Sequence, residues 1–561
     1  MKIVIVGGVA AGMSTATRLR RLDEQAHVVV LEQGEHVSYA NCGLPYYAGG
    51  VIEDRDALLL QTPAALAARF RLDVRVRSRV TAVDAEARTV TVEDLPTGTS
   101  YEESYDELVL SPGARPVVPD VPGAGRALVL RDVADVDRLV AATGTARSTV
   151  VVGGGFVGLE LAENLARRGI AVTVVELADQ VLAPLDPELA VLVAAELAEH
   201  GVTVRTGATV REITAREVVL DDGEHLPADV VVAAIGVRPD TTLAEAAGAR
   251  TGPRGGILVD ADLRTSVPHV FAVGDAATKQ DALADDAPTL VPLANLANRH
   301  GRHVADVITG RRTGMRAAQS TAVVQVFGLT AAVTGWNEKR LRAAGRPYRA
   351  IHTHPAQHAG YYPGAQQMAL KLLVDPETDA VLGAQGVGRD GVDKRIDVLA
   401  TAIAGGITAS GLADLELAYA PQVGSAKDPV NMLGYVADNL RTGETRTVQW
   451  HELAALLEDG ARLVDVRSPA EHAAGTIPGA VNIPLDDLRE RHHELTGAHG
   501  PGRGPVVVHC QVGQRGHTAA RLLSQLGYDV RNLDGGYLTW SAGRRATDVA
   551  DHQDADVVLV R

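Results

Sequence analysis

The stretch Thr149-Val150-Val151-Val152-Gly153-Gly154-Gly155-Phe156-Val157-Gly158-Leu159-Glu160 decides how the rest of the chain is read. A short β-branched run breaks into Gly-x-Gly-x-x-Gly and continues as a helix, the junction at which backbone amides and a helix N-terminus meet a pyrophosphate. The next apolar run, Ala171 to Val175, closes on Glu176. A carboxylate there accepts a hydrogen bond from a free ribose 2′-hydroxyl and repels a 2′-phosphate, so NADH is the expected nucleotide, with NADPH possible. Gly153, Gly155, Phe156, Val157, Gly158 and Glu176 are its expected contacts, with Gly236 in a later turn.

The same plan occurs earlier in a weaker form. Lys2 to Val6 runs into Gly7-Gly8-Val9-Ala10-Ala11-Gly12, a helix follows through Arg21, and Val28 to Leu31 leads to Glu32 and Gln33. Val9 stands where the fingerprint has its middle glycine. Two such units predict two dinucleotides. Two further apolar strands break into tight turns, at Ser111-Pro112-Gly113 and at Ile235-Gly236, and suit crossovers between two nucleotide domains. Val270 to Val273 is a third strand, ending in Gly274-Asp275.

The sequence has 561 residues, room for about four domains. Its net charge of -16 and pI near 5.6 argue against nucleic acid or an anionic membrane as partner. No run approaches 18 uninterrupted apolar residues, so no membrane span is expected. Two cysteines, with no charged stretch followed by a cleavable apolar run at the start, predict a cytoplasmic protein. His352, His354 and His358 cluster without a cysteine or carboxylate among them, and no metal site is expected there.

One cysteine lies in Ser38-Tyr39-Ala40-Asn41-Cys42-Gly43-Leu44-Pro45-Tyr46-Tyr47. Pro45 fits the first turn of a helix, which places Cys42 just before a helix N-terminus, where thiolate is favoured. No second cysteine is near, so Cys42 must pair with a thiol arriving from outside. The other cysteine follows the strand Val506 to His509 and opens Cys510-Gln511-Val512-Gly513-Gln514-Arg515. That loop directs amides, a helix N-terminus and the Arg515 cation at the Cys510 sulfur. The arrangement is similar to a rhodanese domain, and its six residues are one fewer than in the related dual-specificity phosphatases, a likeness that implies sulfur transfer over phosphoester hydrolysis.

The two glycine loops and the Gly274-Asp275 turn, in that order, make residues 1–445 resemble the flavin disulfide reductases, and residues 447–545 resemble a rhodanese domain. The resemblance implies an α/β chain of two Rossmann-like domains: an FAD-binding domain at 1–145 and 245–320, and an NAD(P)H-binding domain at 146–244. An α+β dimerisation domain at 321–442, the rhodanese domain and a tail at 546–561 complete it. FAD would be held by Gly7, Gly8, Ala10, Ala11, Gly12, Glu32, Gln33, Ser111, Pro112, Gly113, Gly274 and Asp275.

The Cys42 segment is similar to the single-cysteine branch, which includes coenzyme A disulfide reductases, per- and polysulfide reductases, and NADH oxidases and peroxidases. That likeness implies coenzyme A as substrate or bound thiol, held by Ser14, Arg18, Arg21, Ser38, Asn41 and Lys427. Ser14, Arg18 and Arg21 share one helix face and can all point at an anion. Tyr361 and Tyr419 would reach the sulfur from the partner subunit of a homodimer. The expected activity is NAD(P)H-dependent reduction of small-molecule disulfides and persulfides through Cys42, with Cys510 and Arg515 handling sulfane sulfur. An NADH oxidase cycling Cys42 through sulfenic acid, and a non-catalytic sulfur-relay or redox-sensing flavoprotein, are the alternatives.

Overall fold

Every residue from Ile3 to Ile5 and from Val28 to Val30 is fully shielded from water, as strands of a parallel sheet covered on both faces must be. They belong to the computed structural model of the chain, which describes residues 1–252, 254–284, 287–311, 314–495 and 500–551. The chain divides into two units: residues 1–176 with 201–319, and residues 177–200 with 320–561.

In the first unit one five-stranded parallel sheet runs Val270–Ala272, Glu107–Leu110, Lys2–Val6, His27–Leu31, Asp73–Arg75. A four-stranded parallel sheet runs Thr203–Arg205, Ala171–Val175, Ser148–Val152, Val230–Ala233. Each places a strand, a glycine turn and a helix in succession, the helices being Ala10–Leu22 and Phe156–Arg167. The turns demand glycine for want of space as well as for dihedral angle. Gly7 has φ 98° and a Cβ on it would run into the Ser111 carbonyl; Gly153 has φ 112° and would run into that of Ala234. The two turns expected at the domain crossover pair with each other: Ala114–Pro116 lies antiparallel to Val237–Pro239, and Arg115 bridges to Asp240 at 2.8 Å.

The second unit holds two sheets. One is antiparallel, in the order Ala322–Val326, Leu329–Gly335, Val381–Gly388, Met368–Val374, Arg349–Thr353. The other is parallel, in the order Thr447–Val448, Val530–Leu533, Val506–His509, Arg462–Asp465, Val481–Asn482. The helix Pro187–Glu199 belongs with this unit, although the sequence reading assigned it to the NAD(P)H-binding domain. The expected tail also begins inside regular structure, since the last helix runs Gly536–Asp551. Residues 552–561 of that tail lie outside the described residues.

The two sheets meet through buried polar groups. His352, on the edge strand Arg349–Thr353, faces Asp534 through Nδ1 at 2.7 Å and Glu188 through Nε2 at 3.0 Å. Burial works to lower its pKa, but the hydrogen bonds to both carboxylates prevail and hold it up at about 9. The Lys371 ammonium reaches Glu188, Asp186 and Glu338, the last two at 2.9 Å. The edge strand's own backbone is engaged too: the His352 amide donates to Asp534 at 3.0 Å, and the Ala350 carbonyl accepts from Gln449 at 3.1 Å. His354 Nε2 meets Thr539 Oγ1 at 2.7 Å, and His358 Nδ1 meets the Ala359 carbonyl at 3.1 Å.

Candidate active site

Two cavities meet at Cys42. The larger, of about 1160 Å³, is lined by Gly7, Ala10, Ala11, Glu32, Gln33, Ser111, Pro112, Gly113, Gly274 and Asp275, with Val157 and Gly236 from the second nucleotide unit. The smaller, of about 450 Å³, is lined by Ser14, Arg21, Ser38, Arg69 and Asn298 among others. Tyr39, Asn41 and Cys42 line both. Cys42 is therefore reachable from both cavities.

The larger cavity has the features of an adenine-dinucleotide site. Glu32 is fixed at its rim, accepting from the Gly8 amide at 2.8 Å and the Gly34 amide at 2.7 Å. Glu176 repeats this, accepting from the Gly154 amide at 2.7 Å. The Lys279 ammonium donates to the Gly274 and Ala277 carbonyls at 2.7 and 2.8 Å and so secures the turn bearing Asp275. A Cβ on Gly155 would meet no atom within 4 Å, so packing does not demand glycine there; its bare backbone leaves room for a ligand. Gly8, Gly12, Gly153, Gly155, Phe156, Gly158 and Glu176 lie outside the lining of the larger cavity and shape the two loops behind it. The residues present fit two dinucleotides.

Cys42 lies in a single turn, Asn41–Gly43, followed by the helix Leu44–Ala48 with Pro45 in its first turn. The expected lowering of its pKa is opposed. Loss of water around the sulfur pushes the thiol up, and the Glu160 and Asp275 carboxylates add to it. A five-residue helix carries little dipole to set against two carboxylates. Glu160 is held by the Tyr46 hydroxyl, which donates at 3.0 Å.

Four of the six residues expected to hold coenzyme A gather at the smaller cavity: Ser14, Arg21, Ser38 and Asn41. Ser38 takes φ 50° there, and its amide donates to the Gly8 carbonyl at 2.9 Å. Arg18 does not join them, because Asp306 offers a nearer counter-charge and pairs with it at 2.8 Å. Lys427 is exposed and lies in the second unit. Tyr361 and Tyr419 are in the same unit, 77% and 48% exposed, with their hydroxyls 2.9 Å apart. Sequence reasoning missed Arg69, Asn298, Glu160 and Arg131, which line one or other cavity. The Glu that follows a Gly-x-Gly-x-x-Gly by two residues was a signal for Glu160; the other three carry no local pattern.

Cys510 is fully buried at the end of the strand Val506–His509. Gly513, at φ 88°, turns the loop into the helix Gln514–Gln525. Arg515 donates to Glu471 from both terminal nitrogens, at 2.9 and 2.6 Å, and the Cys510 sulfur also helps to hold its proton. No helix among the described residues is long and apolar enough to cross a membrane.

A family model described as pyridine nucleotide-disulphide oxidoreductase matches residues 1–301, its dimerisation domain matches 321–429, and a rhodanese-like domain matches 449–543. The coenzyme A disulfide reductase of Staphylococcus aureus (strain JH9) is 33% identical over 441 residues, which are 78% of this chain and 99% of that protein. The crystal structure of reduced Bacillus anthracis CoADR-RHD is 45% identical with a TM-score of 0.94, covering 96% of this chain and 98% of that one. A NAD-dependent persulfide reductase from A. fulgidus is 37% identical with a TM-score of 0.89, covering 96% and 100%. The water-forming NADH oxidase from Lactobacillus brevis is 26% identical with a TM-score of 0.76, covering 79% and 99%. With the two nucleotide units, the cavity at Cys42 and these likenesses in agreement, the chain belongs to the pyridine nucleotide-disulphide oxidoreductase family, as an FAD-dependent oxidoreductase that also carries a rhodanese-like domain.

Proposed function

We propose that the chain uses NADH to reduce coenzyme A disulfide and the per- or polysulfides of coenzyme A or inorganic sulfur, through the single sulfur of Cys42, in a cytoplasmic homodimer. The observation that carries this reading is the shared wall. Cys42 faces a dinucleotide cavity on one side and, on the other, a cavity that bears Arg21 and Arg69 on a largely apolar wall, which suits a phosphorylated thiol.

Bound FAD would supply the relay of two electrons from NADH to sulfur. This chain's residues do the rest. Glu32, Asp275 and the first glycine loop hold one dinucleotide, and Glu176 with the second loop holds the other and disfavours a 2′-phosphate. The Cys42 thiolate attacks one sulfur of the substrate disulfide, one thiolate leaves, and a mixed disulfide remains on Cys42. Ser14, Arg21, Ser38, Asn41, Arg69 and Asn298 would orient the coenzyme A portion. Tyr361 and Tyr419 of the partner subunit, with Lys427, would donate to the departing thiolate and the substrate. Cys510, with Arg515, would load or unload sulfane sulfur.

A panel of acceptors tests the proposal: NADH oxidation with coenzyme A disulfide, coenzyme A persulfide, polysulfide and oxygen. The three sulfur acceptors should exceed oxygen severalfold in kcat/KM. Oxygen as the best acceptor would favour the oxidase reading, to which the Lactobacillus brevis likeness points. No turnover with any acceptor would favour a sensor.

A further inference from the structure

Two arginines bear on the Cys510 loop, Arg467 and Arg515, and each is paired with a carboxylate. Arg467 is buried and spends its guanidinium on Asp465, with contacts of 3.0, 3.1 and 2.8 Å; it also donates to the Gly475 carbonyl at 2.6 Å and to the Gln511 side chain at 3.0 Å. Its plane lies over the Tyr537 ring, 4.4 Å from the centroid. His509 is buried, and burial pushes its pKa down to about 4, so it brings no charge. Arg515 remains, and Glu471 grips it with both oxygens.

Glu471 is not a passing surface partner. Its Oε2 also accepts from the Ser468 amide at 3.0 Å and the Ser468 hydroxyl at 2.9 Å, while the Glu471 amide donates to Ser468 Oγ at 3.3 Å. This capping box fixes the carboxylate before any donor arrives. Arg515 pulls the Glu471 pKa down to about 2, so the negative charge is present at every working pH. A compact dianion entering the loop therefore meets amides and a helix N-terminus, but among the described residues no uncompensated arginine.

We propose that Glu471 sets the donor class of the Cys510 site, turning it from compact dianions such as thiosulfate towards alkyl persulfides, which bring at most one charge to the reacting sulfur. The inference rests on the reading of Cys510 as a carrier of sulfane sulfur. With an alkyl persulfide, the Cys510 thiolate bonds to the outer sulfur, the S–S bond breaks, and the alkyl thiolate leaves with the electron pair. With thiosulfate the same bond forms and sulfite leaves with the pair, so charge is conserved in both. They differ in the charge that must approach: thiosulfate brings two negative charges to within reach of Glu471.

The test is the second-order rate of sulfur loading on Cys510 in the full-length protein, followed by intact mass, with thiosulfate and with the persulfide of N-acetylcysteamine. Glu471→Gln keeps the capping box and removes the charge; Glu471→Asp keeps the charge. The thiosulfate-to-persulfide rate ratio should rise by about tenfold or more in Glu471→Gln, a gain that salt reduces, and stay near the wild-type ratio in Glu471→Asp. An unchanged ratio in Glu471→Gln, with wild-type protein still loading sulfur, overturns this inference alone. Equal rises in both variants make Glu471 structural and also overturn it. No loading of the wild type by either donor removes the sulfur-carrier reading and this inference with it.

Discussion

The chain's two cysteines sit in opposite surroundings. Cys42 is exposed where two cavities meet, and the water its sulfur loses there, with two carboxylates, raises its pKa; Cys510 is fully buried, with Arg515 of its loop and Arg467 each matched by a carboxylate. A sulfur that must accept a large thiol on one side and electrons on the other needs open access. A sulfur that receives one atom at a time needs only a narrow mouth. The difference shows that protein-wide charge says little about a thiol; what decides is which few groups face it and how much water they leave.

Four changes sharpen or break this contrast, in order of expected effect. Cys42→Ser should cut NADH-dependent reduction of coenzyme A disulfide by about a thousandfold or more, with flavin content unchanged, because a serine hydroxyl does not open a sulfur–sulfur bond. Wild-type turnover in that variant would move the chemistry off Cys42. His352→Gln, which breaks a buried imidazolium's pairing with two carboxylates, should cost about 3 kcal/mol in chemical unfolding of the second unit. The pH dependence has a definite sign: with the pKa raised from 6.5 to about 9, the stabilisation is complete below pH 6.5 and is lost as pH rises through 9. A wild-type melting curve that gains stability over that rise would contradict it.

Cys510→Ser should leave coenzyme A disulfide reduction within about twofold of wild type while slowing turnover with polysulfide by about tenfold, since only the latter has sulfur to be carried. Equal rates with polysulfide would mean that the two cysteines work separately. The smallest effect is expected from Glu160→Gln. Removing that charge should shift the pH profile of Cys42 alkylation to lower pH, and an unmoved profile would leave burial and Asp275 as the causes of its raised pKa.

Local chemistry made the glycine loops legible: a strand, a turn that must be glycine and an acid at a fixed distance leave their mark in consecutive residues. The Cys510 loop was legible for the same reason. What escaped was assembled from distant segments. Arg131 and Asn298 reach the cavities from elsewhere in the sequence, and Arg18 was drawn away by an aspartate nearly 300 residues on. The strand Val381–Gly388 carries three glycines, which are ordinarily scarce in a strand interior. Packing explains them: a Cβ on Gly383 would strike the Trp336 carbonyl, one on Gly386 would press on Val392 and Leu370, and one on Gly388 on Met368.

The contacts at Arg349–Thr353 bear on whether the reductase could live without its neighbour. This strand is the outermost of its sheet, and Gln449 and Asp534 occupy backbone groups that would otherwise point outward unpaired. A chain cut at Gly443 would lose both, baring a row of amides and carbonyls ready to template pairing with another molecule. The rhodanese domain thus doubles as a hem on the sheet, and a truncated enzyme should tend to self-associate even where its flavin chemistry is intact.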